Sequence, residues 1–130
     1  MILDSSAVVA LVLQEPGYAG LFEAMGSAAR LGIGAPTLVE TTIVLSARLD
    51  RDARGLISRL LLEGDVAVVP FTDAHFGTAM GAWLRYGRGR HPAGLNFGDC
   101  LAYATAKLAA EPLLFTGEDL RRTDIPSALG

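Results

Sequence analysis

Four short apolar runs, separated by segments of helix length, restrict this chain to a narrow set of folds. Met1–Asp4, Arg30–Gly34, Val66–Pro70 and Leu113–Thr116 read as strands. Between them, Ser5–Gln14 reads as an apolar helix with Ser5 or Ser6 able to cap it. Pro16 suits the first turn of a second helix, in which Tyr18, Leu21, Phe22 and Met25 recur at helical spacing. Pro36 opens a third helix to about Arg48, with Leu38, Val39, Ile43, Val44 and Leu45 as a broad inner face. Asp52–Glu63 is expected to be helical and to stop at Gly64. Thr72–Tyr86, carrying Phe76, Met80 and Trp83, and Gly98–Ala110 complete the long helices, and Gly117–Arg122 makes a last turn. Strands alternating with helices favour one parallel sheet covered on both faces, here a single α/β domain over residues 1–130. In such sheets the functional site gathers at the carboxyl ends of the strands.

The composition suits a packed domain. It is 51% hydrophobic and 19% charged, which excludes disorder as the main state. No apolar stretch approaches the roughly 20 residues that span a bilayer. Asp4 also interrupts the N-terminal apolar run too early for a signal sequence. A cytoplasmic location without membrane attachment is expected. The single Cys100 can form no internal disulfide, in keeping with a reducing compartment.

Against this apolar background four carboxylates are conspicuous. Asp4 ends the first strand, Glu40 lies within the third helix, Asp99 opens the helix after Asn96-Phe97-Gly98, and Asp119 follows the last strand. Each has a plain structural reading. Asp4, Asp99 and Asp119 can cap helices, and Glu40 can meet an internal arginine. Glu118 and Asp124 are close enough in sequence to be confused with Asp119. The four gain weight together. Two carboxylates about 4 Å apart repel by about 4 kcal/mol at an effective dielectric near 20. Converging acids therefore require protons or a cation, and an all-oxygen donor set suits magnesium or manganese. An ion so held can activate water and stabilise charge on a phosphodiester.

Other chemistries fit poorly. Two histidines, His75 and His91, and one cysteine are too few for a Cys/His zinc site. No nucleophile elbow, His-Glu-x-x-His pair or phosphate-binding P-loop occurs. The net charge of −3 excludes a generally basic nucleic-acid binder, yet Arg85, Arg88 and Arg90 form a local patch just ahead of Asp99. A second group, Arg48, Arg51, Arg54 and Arg59, is diluted by Asp50 and Asp52 and reads as solvated.

Four segments occur in an order that resembles a known family: Met1-Ile2-Leu3-Asp4-Ser5-Ser6-Ala7, Thr37-Leu38-Val39-Glu40, the run from His91 through Asn96-Phe97-Gly98-Asp99 to Ala104, and Pro112 through Thr116-Gly117-Glu118-Asp119 to Leu120. The pattern is similar to PIN-domain ribonucleases, specifically VapC-type toxins of bacterial toxin–antitoxin pairs, along essentially the whole chain. The resemblance implies a three-layer α/β/α domain around a parallel sheet and a magnesium- or manganese-dependent endoribonuclease acting on a transfer RNA or a ribosomal RNA loop. It implies that Asp4, Glu40, Asp99 and Asp119 are the catalytic acids, Asp4 and Asp99 being the metal ligands. Ser6, Asn96 and Thr116 would support them. Leu120 departs from the Phe common at that place. The resemblance also implies a homodimer and a cognate antitoxin that occupies the active site, with Val8, Val9, Leu11, Val12, Tyr18, Leu21 and Phe22 as apolar surface for a partner. The other class of reading is a catalytically silent PIN-like module that binds metal or a partner. A phosphatase or DNA nuclease with the same acids is a third.

Overall fold

The structure, a computed structural model, describes all 130 residues. Strands β1 (Ile2–Leu3), β2 (Leu31–Gly34), β3 (Val66–Val69) and β4 (Leu113–Leu114) form one parallel sheet in the order β3-β2-β1-β4. Helices α1 (Ser5–Val12), α2 (Tyr18–Ser27), α3 (Ala35–Leu49), α4 (Arg54–Glu63), α5 (Asp73–Tyr86) and α6 (Phe97–Ala109) connect and cover it. A short 3₁₀ turn over Leu120–Arg122 follows β4.

Period-two alternation along the strands builds two cores. Leu3, Ile33, Val66 and Leu114 pack with residues of α1 to α4 on one face, whereas Ile2 and Leu113 pack with α5 and α6 on the other. This is the expected three-layer α/β/α arrangement. No helix is long and apolar enough to cross a membrane.

The differences from expectation have local causes. Helix α1 stops at Val12 because Leu13 caps it and Gln14 turns to φ 52°. Helix α2 starts at Tyr18 because Gly17, at φ 91°, breaks the path from Pro16. The inner face of α3 is formed by Thr37, Thr41 and Leu45, all buried, while Val39 and Ile43 are 59% and 62% exposed. The Thr41 hydroxyl donates to the Thr37 carbonyl at 2.7 Å, which satisfies it within the core. Helix α5 behaves similarly. It buries His75, Ala79, Ala82 and Tyr86 and leaves Phe76, Met80 and Trp83 in solvent. Small residues toward α6 let the two helices approach closely, and the large ones are displaced outward. On the first two helices, Val8, Val9 and Leu21 belong to the core, so of the apolar surface expected there only Tyr18 and Phe22 are well exposed.

The chain after β4 is tied down by one acid. The Asp124 carboxylate accepts from the Tyr103 hydroxyl at 2.6 Å and from Lys107 Nζ at 2.9 Å, and Arg85 lies 3.8 Å away. The Tyr103 hydrogen bond, followed by that of Lys107, outweighs partial burial and lowers the Asp124 pKa to about 2. Tyr103→Phe removes one charge-assisted bond and is expected to cost about 1–2 kcal/mol in urea unfolding. A change of a few tenths would show the anchor to be dispensable.

Candidate active site

In the strand order β3-β2-β1-β4, the chain moves one way from β1 to β3 and then returns to the other side of β1. The switch point therefore lies between β1 and β4, at their carboxyl ends, where open α/β sheets leave a crevice. A cleft of about 150 Å³ opens there, lined by Asp4, Ser6, Asp99, Thr116, Glu118 and Asp119.

Asp4 is held at the bottom. It is 4% exposed and caps α1, its Oδ2 accepting from the Ser6 amide at 3.1 Å and from the Ser6 hydroxyl at 2.5 Å. Oδ1 has no protein donor. Burial raises the Asp4 pKa to about 6 against the lowering effect of the Ser6 bonds, and the charges of Asp99 and Glu40 push the same way as burial. Ser6 also joins the two strand ends, since its Oγ accepts from the Thr116 amide at 3.0 Å. It is thus the backbone of Thr116, not its hydroxyl, that supports the site.

Asp99 sits in the first turn of α6 and shares a capping box with Asn96. Asn96 Oδ1 accepts from the Asp99 amide at 2.9 Å, and Asp99 Oδ2 accepts from the Asn96 amide at 3.1 Å. One carboxylate oxygen is left for the cleft. Burial again raises its pKa, the Asn96 bond opposes, and the charges of Asp119 and Glu40 add to the rise while Arg88 lowers it.

Glu40 reaches the group from α3. It is half-buried, has no ion pair, and its carboxylate lies against Gly98, where any side chain would collide with it. An internal arginine partner is therefore excluded by the fold. Asp119 is exposed at the cleft rim beside Glu118, which Arg121 approaches only to 3.9 Å. Of the two acids confusable with Asp119, Glu118 faces the cleft and Asp124 does not. The histidines are structural: His75 closes a capping box with Thr72 at α5, and His91 accepts from the Ala93 amide at 3.0 Å.

The fold thus brings Asp4, Glu40, Asp99 and Asp119 into one electrostatic field. No three His, Cys, Asp or Glu side chains are gathered closely enough to enclose a metal ion. The donor chemistry nevertheless fits magnesium, which is bound through one or two carboxylates and keeps several waters. Asp4 and Asp99, each with an oxygen free of protein donors, are the pair that suits it. Ser6→Ala strips Asp4 of its shortest bond and leaves the Thr116 amide unpaired. Metal affinity and activity are expected to fall about 10–100-fold, read by calorimetric Mg²⁺ titration. Unchanged affinity would show that Ser6 does not orient Asp4.

Sequence reasoning missed Gly98 as the seat of Glu40, and also the larger hollow next to the cleft. This apolar groove of about 1060 Å³ runs between α3, α5 and α6, lined by Val39, Ile43, Phe76, Met80, Trp83 and Phe97 among others, with Glu40 as its one charged residue. The outward large residues of α3 and α5 are its sequence signal; Val39 and Ile43 were expected on the inner face of α3 and instead line this groove.

Residues 1–126 match the PIN domain family. The chain belongs to that family, within the group of the VapC ribonucleases. It is 48% identical over 126 residues to the VapC ribonuclease Mb2004c of Mycobacterium bovis and to the ribonuclease VapC36 of Mycobacterium tuberculosis, covering 96% of this chain and 91% of each relative. It is 38% identical over 125 residues to the ribonuclease VapC of Mycolicibacterium smegmatis, covering 96% and 97%. Two solved structures share the fold. Mycobacterium tuberculosis VapC20, a sarcin–ricin-loop-cleaving toxin, gives a TM-score of 0.76 at 18% identity over 95% of both chains. A chain of a toxin–antitoxin complex from Klebsiella pneumoniae gives 0.70 at 15% identity over 95% and 91%.

Proposed function

We propose that this chain is a toxin endoribonuclease, acting as a single domain, that hydrolyses RNA phosphodiester bonds with metal-activated water and is silenced by a cognate antitoxin. The observation that carries the reading is the convergence of Asp4, Asp99 and Asp119 on the cleft between β1 and β4, with Glu40 behind them near enough for its charge to raise the pKa of Asp4 and of Asp99. Asp4 and Asp99 would hold a divalent ion, magnesium or manganese. When bound, that ion supplies acidity to water and positive charge at the phosphate. Ser6 fixes the Asp4 carboxylate, the Asn96 amide fixes that of Asp99, and Glu40 and Asp119 orient the attacking water from the groove side and the rim. An antitoxin that inserts an arginine among these acids would meet the same electrostatic need.

For the groove beside Glu40 we propose a second copy of this chain. Helix α5 exposes Phe76, Met80 and Trp83 along one stripe, with Asp73 at its start and Arg85 in its last turn. Two such helices packed antiparallel about a twofold axis set apolar stripe on apolar stripe and acidic end on basic end. Met80→Glu is expected to convert the dimer to a monomer in size-exclusion chromatography. A wild-type chain that elutes as a monomer at micromolar concentration would contradict the dimer.

The functional test uses the wild-type chain on a transfer RNA, a ribosomal RNA loop, matched DNA and a small phosphate ester, with Mg²⁺, Mn²⁺ or chelator. Discrete metal-dependent cuts in RNA alone, and growth arrest on induction without antitoxin, are expected. Metal binding without turnover on any substrate would instead favour a silent binding module. Equal cutting of DNA would make the chain a broader nuclease.

A further inference from the structure

Of the three arginines clustered ahead of Asp99, the fold leaves one unengaged. Arg85 approaches Asp124 to 3.8 Å and lies 4.7 Å over the Tyr86 ring. Arg90 donates from Nε to the Leu84 carbonyl at 3.0 Å, its guanidinium 5.0 Å over the Trp83 ring. Arg88 is exposed, and its guanidinium enters no ion pair. Its five donors are free for a ligand.

The backbone beneath Arg88 is nonetheless fixed. The Arg88 amide donates to the Leu95 carbonyl at 3.0 Å, and the Leu95 amide donates to the Tyr86 carbonyl at 3.0 Å, so that Gly87 pairs with Leu95 as in a parallel sheet. The Gly87 carbonyl accepts from the Arg90 amide at 2.9 Å and the His91 amide at 3.1 Å, closing the turn, and Gly89 supplies its φ of +81°. Leu95 is followed by Asn96, whose amide bonds the Asp99 carboxylate at 3.1 Å. Arg88 is therefore anchored beside the start of α6, the helix whose first turn carries Asp99.

An RNA strand approaching this cleft meets Asp4, Asp99, Glu118 and Asp119 on its walls and Glu40 behind them. One divalent ion leaves such a site net negative, so the backbone of the strand needs a cation close by. A guanidinium fork matches two phosphate oxygens and keeps its charge at every working pH. We infer that Arg88 seats the substrate backbone, its guanidinium holding a phosphate next to the one that is cleaved. The inference rests on the RNA-cleaving reading above.

The test measures steady-state cleavage of the RNA that the wild type cuts, over a salt series, for Arg88→Ala and Arg88→Lys, with Arg90→Ala as the neighbouring control. Mg²⁺ affinity is measured on each protein without RNA, and circular dichroism checks folding. Arg88→Ala is expected to raise KM about tenfold or more, the loss of one charged hydrogen-bonded contact. The slope of log KM against log salt should fall by about one phosphate's worth. Arg88→Lys should recover part of the loss, and Mg²⁺ affinity should not move. Unchanged KM and salt slope in Arg88→Ala would overturn the inference and leave RNA cleavage standing. So would a loss confined to kcat with weakened Mg²⁺ binding, which would make Arg88 a support for Asp99. A wild-type chain that cuts no RNA would remove the parent reading, and this inference with it.

Discussion

Asp4→Asn is expected to abolish RNA cleavage and, in the metal-free protein, to make the chain harder to unfold at neutral pH. The loss of activity should exceed about 100-fold, since removing even a supporting partner of a metal ligand costs up to that much. The gain in stability follows from the same burial. The Asp4 carboxyl titrates at about 6 in the folded chain against an ordinary 3.8. Between those values the folded chain holds a proton that the unfolded chain releases. The contribution to stability is thus complete below about pH 4 and is lost as pH rises through 6. A shift of about two units corresponds to about 3 kcal/mol. Asparagine can still accept from Ser6 but carries no charge, so the variant escapes that loss. Chemical unfolding with chelator present should show Asp4→Asn more stable than wild type at about pH 8 and equal to it near pH 4. Equal stability at both values would mean that Asp4 is not electrostatically penalised, and retained cleavage would remove it from the site.

Gly98→Ala is expected to lower cleavage about a hundredfold while leaving the fold intact. The new methyl group would collide with the carboxylate of Glu40. That carboxylate ends a flexible side chain on α3, so it can swing aside at little cost to folding. A displacement of about 1 Å in a positioned catalytic group is enough for a loss of this size. The helix also gains up to about 1 kcal/mol from replacing glycine, which offsets part of any strain. Gly77→Ala in α5 is the control, since nothing lies within 4 Å of its added methyl. It should keep full activity. If Gly98→Ala also keeps full activity, the position of Glu40 does not matter to the reaction.

The alternation of elements, the parallel sheet and the acids at its carboxyl edge were all readable from residue order, because strand and helix periods are local. What escaped was the choice between faces. On α5, Phe76-Met80-Trp83 and His75-Ala79-Ala82-Tyr86 both have helical spacing, and hydrophobicity favours the first set as core. The fold buries the second because α6 presents Ala102 and Ala106 there, and small residues permit close packing. The fourth acid was ambiguous for a similar reason. Glu118, Asp119 and Asp124 differ only by which partners await them, and Tyr103 and Lys107, which claim Asp124, come from another element. Arg88 could not be told from Arg85 and Arg90 until their partners were known.

The bond from the Thr116 amide to Ser6 Oγ spans 110 residues, and it ties the first turn of α1, just after β1, to the chain just after β4. During synthesis, Asp4, Glu40 and Asp99 all emerge before β4 exists, and without β4 the crevice has only one wall. A nascent chain therefore lacks a complete cleft until β4 has emerged and docked against β1.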